Sequence, residues 1–238
     1  MEHFDVIVVG GGHAGCEAAL AAARLGVRVL LLNLNPDNAA LMACNPAMGG
    51  PAKGHLIREI DALGGEQARA TDASTLHLRW LNTSKGPAVR TLRAQCDLRR
   101  YHFYMKNILE SYPLLETFQG HVVALEHHEK AVRGVRLRTG ETMTAPRVVL
   151  ATGTYLGGKV FLGLTSFASG PLGQVSAPEL GEDLRRIGFE VGRLKTGTPP
   201  RIHADSVDWG ALVSQESARE ALAFSFESPR RTYEGYAC

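Results

Sequence analysis

"FDVIVVGGGHAGCEAALAAARLGVRVLLLN", residues 4–33, carries several signals in register. The β-branched run at 4–9 reads as a buried strand. It runs into "GGGHAG" at 10–15, and an Ala/Leu-rich helix follows, with Gly26 as its stop. "VRVLLL" at 27–32 then reads as a buried parallel strand. Gly10, Gly12 and Gly15 match G-x-G-x-x-G directly after a strand and at the start of a helix. In that context the first glycine makes the turn, and the second admits a pyrophosphate to the backbone. The third lets helix and strand pack closely. The amides of Gly11, Gly12, His13 and Ala14 would then face phosphates at the helix start. The alternative is that these glycines merely turn a strand into a helix. The second strand leads to Asn33, where an acid commonly holds ribose hydroxyls; an amide can still hydrogen-bond there.

The bulk properties bound the rest. The 238 residues are 45% hydrophobic and 21% charged, with a formal net charge of +2. That composition suits a globular chain of one large or two small domains. No apolar run approaches the roughly 20 residues needed to cross a bilayer. The N-terminus has an acid and no basic segment, unlike a signal peptide. Cys16, Cys44, Cys96 and Cys238 lie far apart without a C-x-x-C pair, so no zinc site or disulfide scaffold is expected. His127 and His128 show no ligand spacing, so no metal is expected. These features fit a reduced, cytoplasmic protein without a membrane partner. The mild basicity permits a nucleic-acid partner without requiring one.

Further along, residues 34–90 read as mostly irregular, with one helix at 54–65 closed by Gly64. Residues 90–113 read as one helix ended by Pro113. Three strands within 121–152 read as a small meander, the last running into "ATGTYLGG". Thr152 and Gly153 there fit a second backbone approach to a cofactor. Residues 177–192 read as a helix closed by Gly188 and followed by a strand, and 205–238 carry little apolar pattern. The expected fold is α/β: a Rossmann-like FAD-binding domain of the glutathione-reductase type with a small β-meander, incomplete C-terminally. Its first segment is expected over 1–203, and the start of an inserted domain over 204–238.

"CNPAMGGPAKGHLIREIDALGG", "LNTSKGPAVRTLRAQ" and "RLKTGTPPR", together with the first glycine segment, resemble the MnmG (GidA) family over roughly residues 3–203. Ordinary flavin reductases lack these segments. The resemblance implies FAD as cofactor, with further contacts at Val122 and Ser176, and NADH as reductant. It implies action, with an MnmE-type GTPase, on C5 of uridine 34 in tRNA. There the family builds a carboxymethylaminomethyl or aminomethyl group from methylenetetrahydrofolate and glycine or ammonium. It also implies a homodimer in full-length members. The family's NADH segment, second flavin stretch and helical C-terminal region are not matched. Residues 224–226 keep "FSF", and Cys238 is a candidate for the family's second functional cysteine, though its flanking residues differ.

Uracil C5 is a poor nucleophile until a thiolate adds at C6, and cations near a thiol favour its thiolate. Cys44 shares its loop with Lys53 and His55, and Gly49 and Gly50 would let backbone approach a ring. The resemblance marks Cys44 as catalytic; composition alone suggests a small buried apolar residue. Cys16 and Cys96 read as packing thiols on helices. Lys85 and Arg90 are candidates for holding substrate phosphate or carboxylate, or are solvated charges. Arg93, Arg99, Arg100 and Lys106 with Tyr101 and Tyr104 read as a nucleic-acid face or as a solvated face with packed aromatics. Lys195 and Arg201 lie in a motif whose role does not follow from its chemistry. The competing reading is a non-catalytic flavin-binding or interaction protein derived from the same family.

Overall fold

The computed structural model describes residues 3–43, 45–200 and 202–233; Cys44, Arg201 and Cys238 lie outside the described residues. The chain divides into two compact units, Met1–Leu41 with Met105–Leu194, and Met42–Tyr104 with Lys195–Cys238. The expected boundary at 203/204 falls inside the second of these.

The first unit begins with β1 (Val6–Val9), α1 (His13–Arg24) and β2 (Val29–Asn33). In the second unit follow β3 (Ala47–Gly49), α2 (Lys53–Ala62), α3 (Gln67–Ser74), β4 (Thr75–Leu81) and β5 (Thr91–Cys96). The helix α4 (Leu98–Ser111) leads the chain back to the first unit. There follow β6 (Leu115–Gln119), β7 (Val122–His128), β8 (Ala131–Leu137), β9 (Thr142–Thr144) and β10 (Val148–Leu150). The hairpin β11 (Lys159–Leu162) and β12 (Thr165–Ala168) and the helix α5 (Pro178–Arg186) complete it.

The main sheet has the order β10-β1-β2-β6 with every neighbouring pair parallel. All five residues of β2 are buried, as a parallel strand covered on both faces requires. The short β1–α1–β2 unit forms as its sequence dictates: Gly26 takes a φ of +85° just past α1, and β2 begins three residues on. The antiparallel sheet β7-β8-β9 packs against α5 and the apolar side of the main sheet. Phe4, Ile7, Leu30, Leu32, Val135, Leu137 and Leu180 form this shared core. The fold is Rossmann-like α/β with a meander.

Several local expectations change. "TLRAQC" is not the start of a helix but the central strand of β3-β5-β4, so Cys96 lies on a strand. Residues 67–81 form α3 and β4 within the segment expected to be irregular. "VVL" at 148–150 leaves the meander and pairs with β1. No strand follows α5 among the described residues.

The second unit is held by buried carboxylates. Asp72 accepts the amides of Phe224 and Ser225 at 2.7 and 2.8 Å. Asp61 accepts the Ser225 hydroxyl at 2.8 Å and the Phe226 amide at 2.7 Å. Arg58 donates to the Phe224 carbonyl and its guanidinium lies 4.1 Å from the Phe226 ring centre. Phe224 is fully buried, so the "FSF" segment is a tightly anchored part of this unit.

Candidate functional site

In the first unit the chain leaves β1 towards β2 on one side, while β10 returns on the other. Open α/β sheets bind ligands outside the carboxyl ends of strands at such a reversal. Residues 10–15 occupy this point. Gly10 has φ +105°, and a Cβ there would strike the Ala151 carbonyl after β10. A Cβ at position 15 would fall on the Gly10 carbonyl oxygen. Gly11 is buried against the Asn33 amide, and its carbonyl accepts the Ala40 amide at 2.7 Å. Gly12 differs: it is exposed, and a Cβ there would meet nothing within 4 Å. Space is thus left open at the glycine where the motif's spacing leads one to expect a pyrophosphate.

Gly12 also caps α1, and no side chain caps that helix or places an acid in its first turn. The amide ends of the helix therefore meet no built-in anion. Burial pushes the His13 imidazole down to about 4, so it stays neutral at physiological pH. Ala14, the remaining residue of the turn, is exposed. The Cys16 thiol donates to the Gly11 carbonyl at 3.3 Å, and burial with the Glu17 charge pushes it up to about 12. Cys96 is pushed up to about 11, chiefly by burial. Both are packing thiols.

Asn33 ends β2 and is buried, with its Nδ2 unpartnered. A buried donor without a partner is costly, and a ligand oxygen at this site would satisfy it. Next to Asn33 lies a cavity of about 480 Å³ lined by Leu34, Asn38, Gly120, His121, Leu137, Arg138, Tyr155 and Val175, among others. The expected contact residues Val122 and Ser176 are the chain neighbours of the lining residues His121 and Val175. Val122 is buried, and the Ser176 hydroxyl donates to the Tyr155 and Gly158 carbonyls at 3.4 and 3.3 Å. Burial and the Arg138 charge push His121 below its usual value. Thr152 accepts the Tyr155 amide through its carbonyl, and Gly153 is exposed with φ +52°. The first unit therefore brings the glycine turn, the ends of β2 and β10 and the start of β7 to one end of its sheets. The lining residues around Tyr155 and Arg138 were not singled out from sequence; they share no motif and meet only through folding.

In the second unit, the loop after Cys44 is pinned as a sheet edge. Cys96 donates its amide to the Pro46 carbonyl at 2.7 Å, and Gly50 to the Leu92 carbonyl at 2.8 Å. Gln95 donates to the Asn45 side chain at 3.1 Å. Lys53 is exposed at the start of α2. His55 is half-buried in the next positions, with its Nε2 buried and unpartnered. Lys85 and Arg90 lie in the exposed 83–90 loop, where the Arg90 guanidinium sits 4.6 Å from the Trp80 ring centre. Of the basic and aromatic residues on α4, Tyr101 is fully buried, and the Tyr104 hydroxyl donates to Glu66 at 2.7 Å. Lys106 pairs with Asp37. These aromatics are packed rather than presented for stacking. Among the described residues no group of His, Cys, Asp and Glu could hold a metal ion, and no helix is long and apolar enough to cross a membrane.

Comparison with known proteins follows the same lines. The family model described as glucose inhibited division protein A matches residues 5–238. The tRNA uridine 5-carboxymethylaminomethyl modification enzyme MnmG of Heliobacterium modesticaldum is 49% identical over 235 residues, 99% of this chain and 37% of that protein. The same enzyme of Caldicellulosiruptor saccharolyticus is 48% identical, over 99% of this chain and 38% of that one. The structure of Aquifex aeolicus GidA superposes with a TM-score of 0.90 at 43% identity, covering 95% of this chain and 38% of that one. A GidA-related protein of Thermus thermophilus gives a TM-score of 0.59 at 28% identity, covering 79% and 70%. The chain thus spans a little over a third of the length of the curated relatives it matches.

Proposed function

The chain belongs to the GidA (MnmG) family, and from that premise we propose that it is the flavin-binding part of a tRNA wobble-uridine modification enzyme. The observation that carries this reading is the glycine turn at the sheet's reversal point, closed to side chains at Gly10 and Gly15 and open at Gly12. The residues fit FAD: the uncapped helix start would hold the pyrophosphate, and the orphaned Asn33 amide would hold a ribose hydroxyl. Val122 and Ser176, beside the neighbouring cavity, and Thr152 and Gly153, after β10, would border the rest of the cofactor. FAD held there, with NADH as its reductant, would supply the flavin chemistry of the modification.

The Cys44 thiolate adds to C6 of uridine 34, so that C5 attacks the methylene carbon of methylenetetrahydrofolate. The methylene's bond to the folate nitrogen gives way to the bond with the incoming amine, and loss of the C5 proton expels the thiolate and restores the ring. Glycine or ammonium provides the amine, and an MnmE-type GTPase is the partner. Lys53 and His55 favour the thiolate, while Lys85 and Arg90 hold substrate anions. Cys238 is the second cysteine of the site. The enzyme works in the cytoplasm as a homodimer.

The test places Cys44→Ser in the complete enzyme carrying this region. FAD content and melting midpoint are expected to match the parent, because the change is nearly isosteric. Modified wobble uridine, measured by mass spectrometry of digested tRNA, is expected to vanish. Parental levels of modification in cells holding only the variant would refute the role of Cys44.

A further inference from the structure

The sheet of the second unit carries two guanidinium groups that no described residue neutralises. β5 lies between β3 and β4, and the register sets Arg93 opposite Arg79 on one side and Gly49 on the other. Residues directly opposite in antiparallel strands share a face, with Cβ atoms about 4.5–5.5 Å apart. Like charges in that position destabilise the pair. Arg79 and Arg93 are both half-buried, so water screens their repulsion incompletely. Neither has an ion pair or hydrogen bond among the described residues. Two other arginines of this unit have partners: Arg69 pairs with Glu66 and Glu227, and Arg58 donates to the Phe224 carbonyl.

The opposite face of the sheet explains why the pair is not simply core packing. Met48, Ala94, Leu78 and Leu92 alternate with the arginine positions and are buried. The arginine face instead carries Gln95, bonded to Asn45, and the side-chain-free Gly49. The residues that these three strands place on that face include two adjacent cations and no acid.

We propose that Arg79 and Arg93 form an oxyanion site, clasping one phosphate or carboxylate group of a ligand between their guanidinium forks. Two planar forks side by side match the several oxygens of such a group, and its negative charge removes the repulsion that the free protein carries. The site lies on the sheet of the second unit, and its test requires no flavin.

The test uses the 238-residue chain with ¹⁵N-labelled arginine side chains observed by NMR. The dinucleotide UpU serves as phosphate probe and glutarate as carboxylate probe, each titrated at low salt. The Nε–H signals of Arg79 and Arg93 are expected to shift together and saturate with one of the probes, which identifies the source of the anion. Arg79→Gln and Arg93→Gln are each expected to weaken that binding about tenfold or more, as loss of a charge-assisted hydrogen bond does. Both variants are expected to melt at or above the parental midpoint, because each removes a like-charge neighbour. Absence of a saturable shift with either probe overturns the proposal. So does unchanged binding in the variants, or a lowered midpoint with binding intact, which would give the pair a structural role.

Discussion

The Phe224 ring lies against the backbone of Gly49: a Cβ at position 49 would come within 2.8 Å of Phe224 Cζ. The same Cβ would strike the Leu92 carbonyl, and Gly49 has φ +85°. Gly49→Ala therefore meets both a backbone penalty and a rigid steric one, and should cost about 2 kcal/mol or more of stability. At Gly50, φ is +90° but the nearest atom is Leu81 Cδ1 at 3.9 Å. Gly50→Ala should lose only the backbone term, about 1 kcal/mol. Urea unfolding of the two variants checks the difference; equal losses would mean that the ring contact contributes nothing.

The Asp72 carboxylate spans the amides of Phe224 and Ser225 in a buried setting. Asp72→Ala would leave both amides without acceptors, at about 1–3 kcal/mol each. Asp72→Asn keeps one acceptor and should lose roughly half as much. Hydrogen exchange is the direct measurement: the amides of 224 and 225 should lose protection in the alanine variant ahead of those in β5.

Acid should weaken the first unit through His13. Its folded pKa is about 4 against an ordinary 6.5, because burial disfavours the charged ring. The unfolded chain thus takes up a proton that the folded chain refuses. The resulting stability is fully present above pH 6.5 and is lost as pH falls towards 4. A shift of that size corresponds to about 3 kcal/mol. His121, also lowered, adds to the slope in the same direction. The melting midpoint of His13→Gln should depend less on pH across this window than that of the parent. An identical slope would exclude His13 as its source.

The strand–glycine–helix–strand start is legible because each signal is local: the apolar run, the glycine spacing and the stop at Gly26 act within residues 4–33. "TLRAQC" misleads because Leu, Arg, Ala and Gln favour helices and lead directly into α4. Pairing with β3 on one side and β4 on the other overrides that preference. The Asp72 anchor leaves no local signal at all, since its partners lie 152 and 153 residues away. The glycines of the candidate cofactor site could be named from spacing alone. The cavity beside Asn33 could not, because its walls come from the segment after β2, from β6 and β8, and from the loops around Tyr155 and Val175.

Gly12 and Gly15 should separate binding from folding. Both belong to the same motif, yet their surroundings are opposite. Gly12 has an ordinary φ of −74° and open space around its missing Cβ. A side chain there disturbs no neighbour in the protein and projects where the pyrophosphate would lie. Gly15 is buried in the first turn of α1, and a Cβ there would fall on the Gly10 carbonyl. A side chain at that position must push helix and strand apart. Gly12→Val should therefore keep the far-ultraviolet circular dichroism and lie within about 1 kcal/mol of the parent in stability, as surface changes away from special features do. Its flavin absorbance per mole of protein after reconstitution with FAD should fall to background. Gly15→Val should lose several kcal/mol, as overpacking against backbone does, and should lose flavin only because the first unit no longer folds. If Gly12→Val retains parental flavin, the phosphates do not lie at the start of α1. If Gly12→Val and Gly15→Val unfold alike, the open space at Gly12 is not a ligand position but part of the packing.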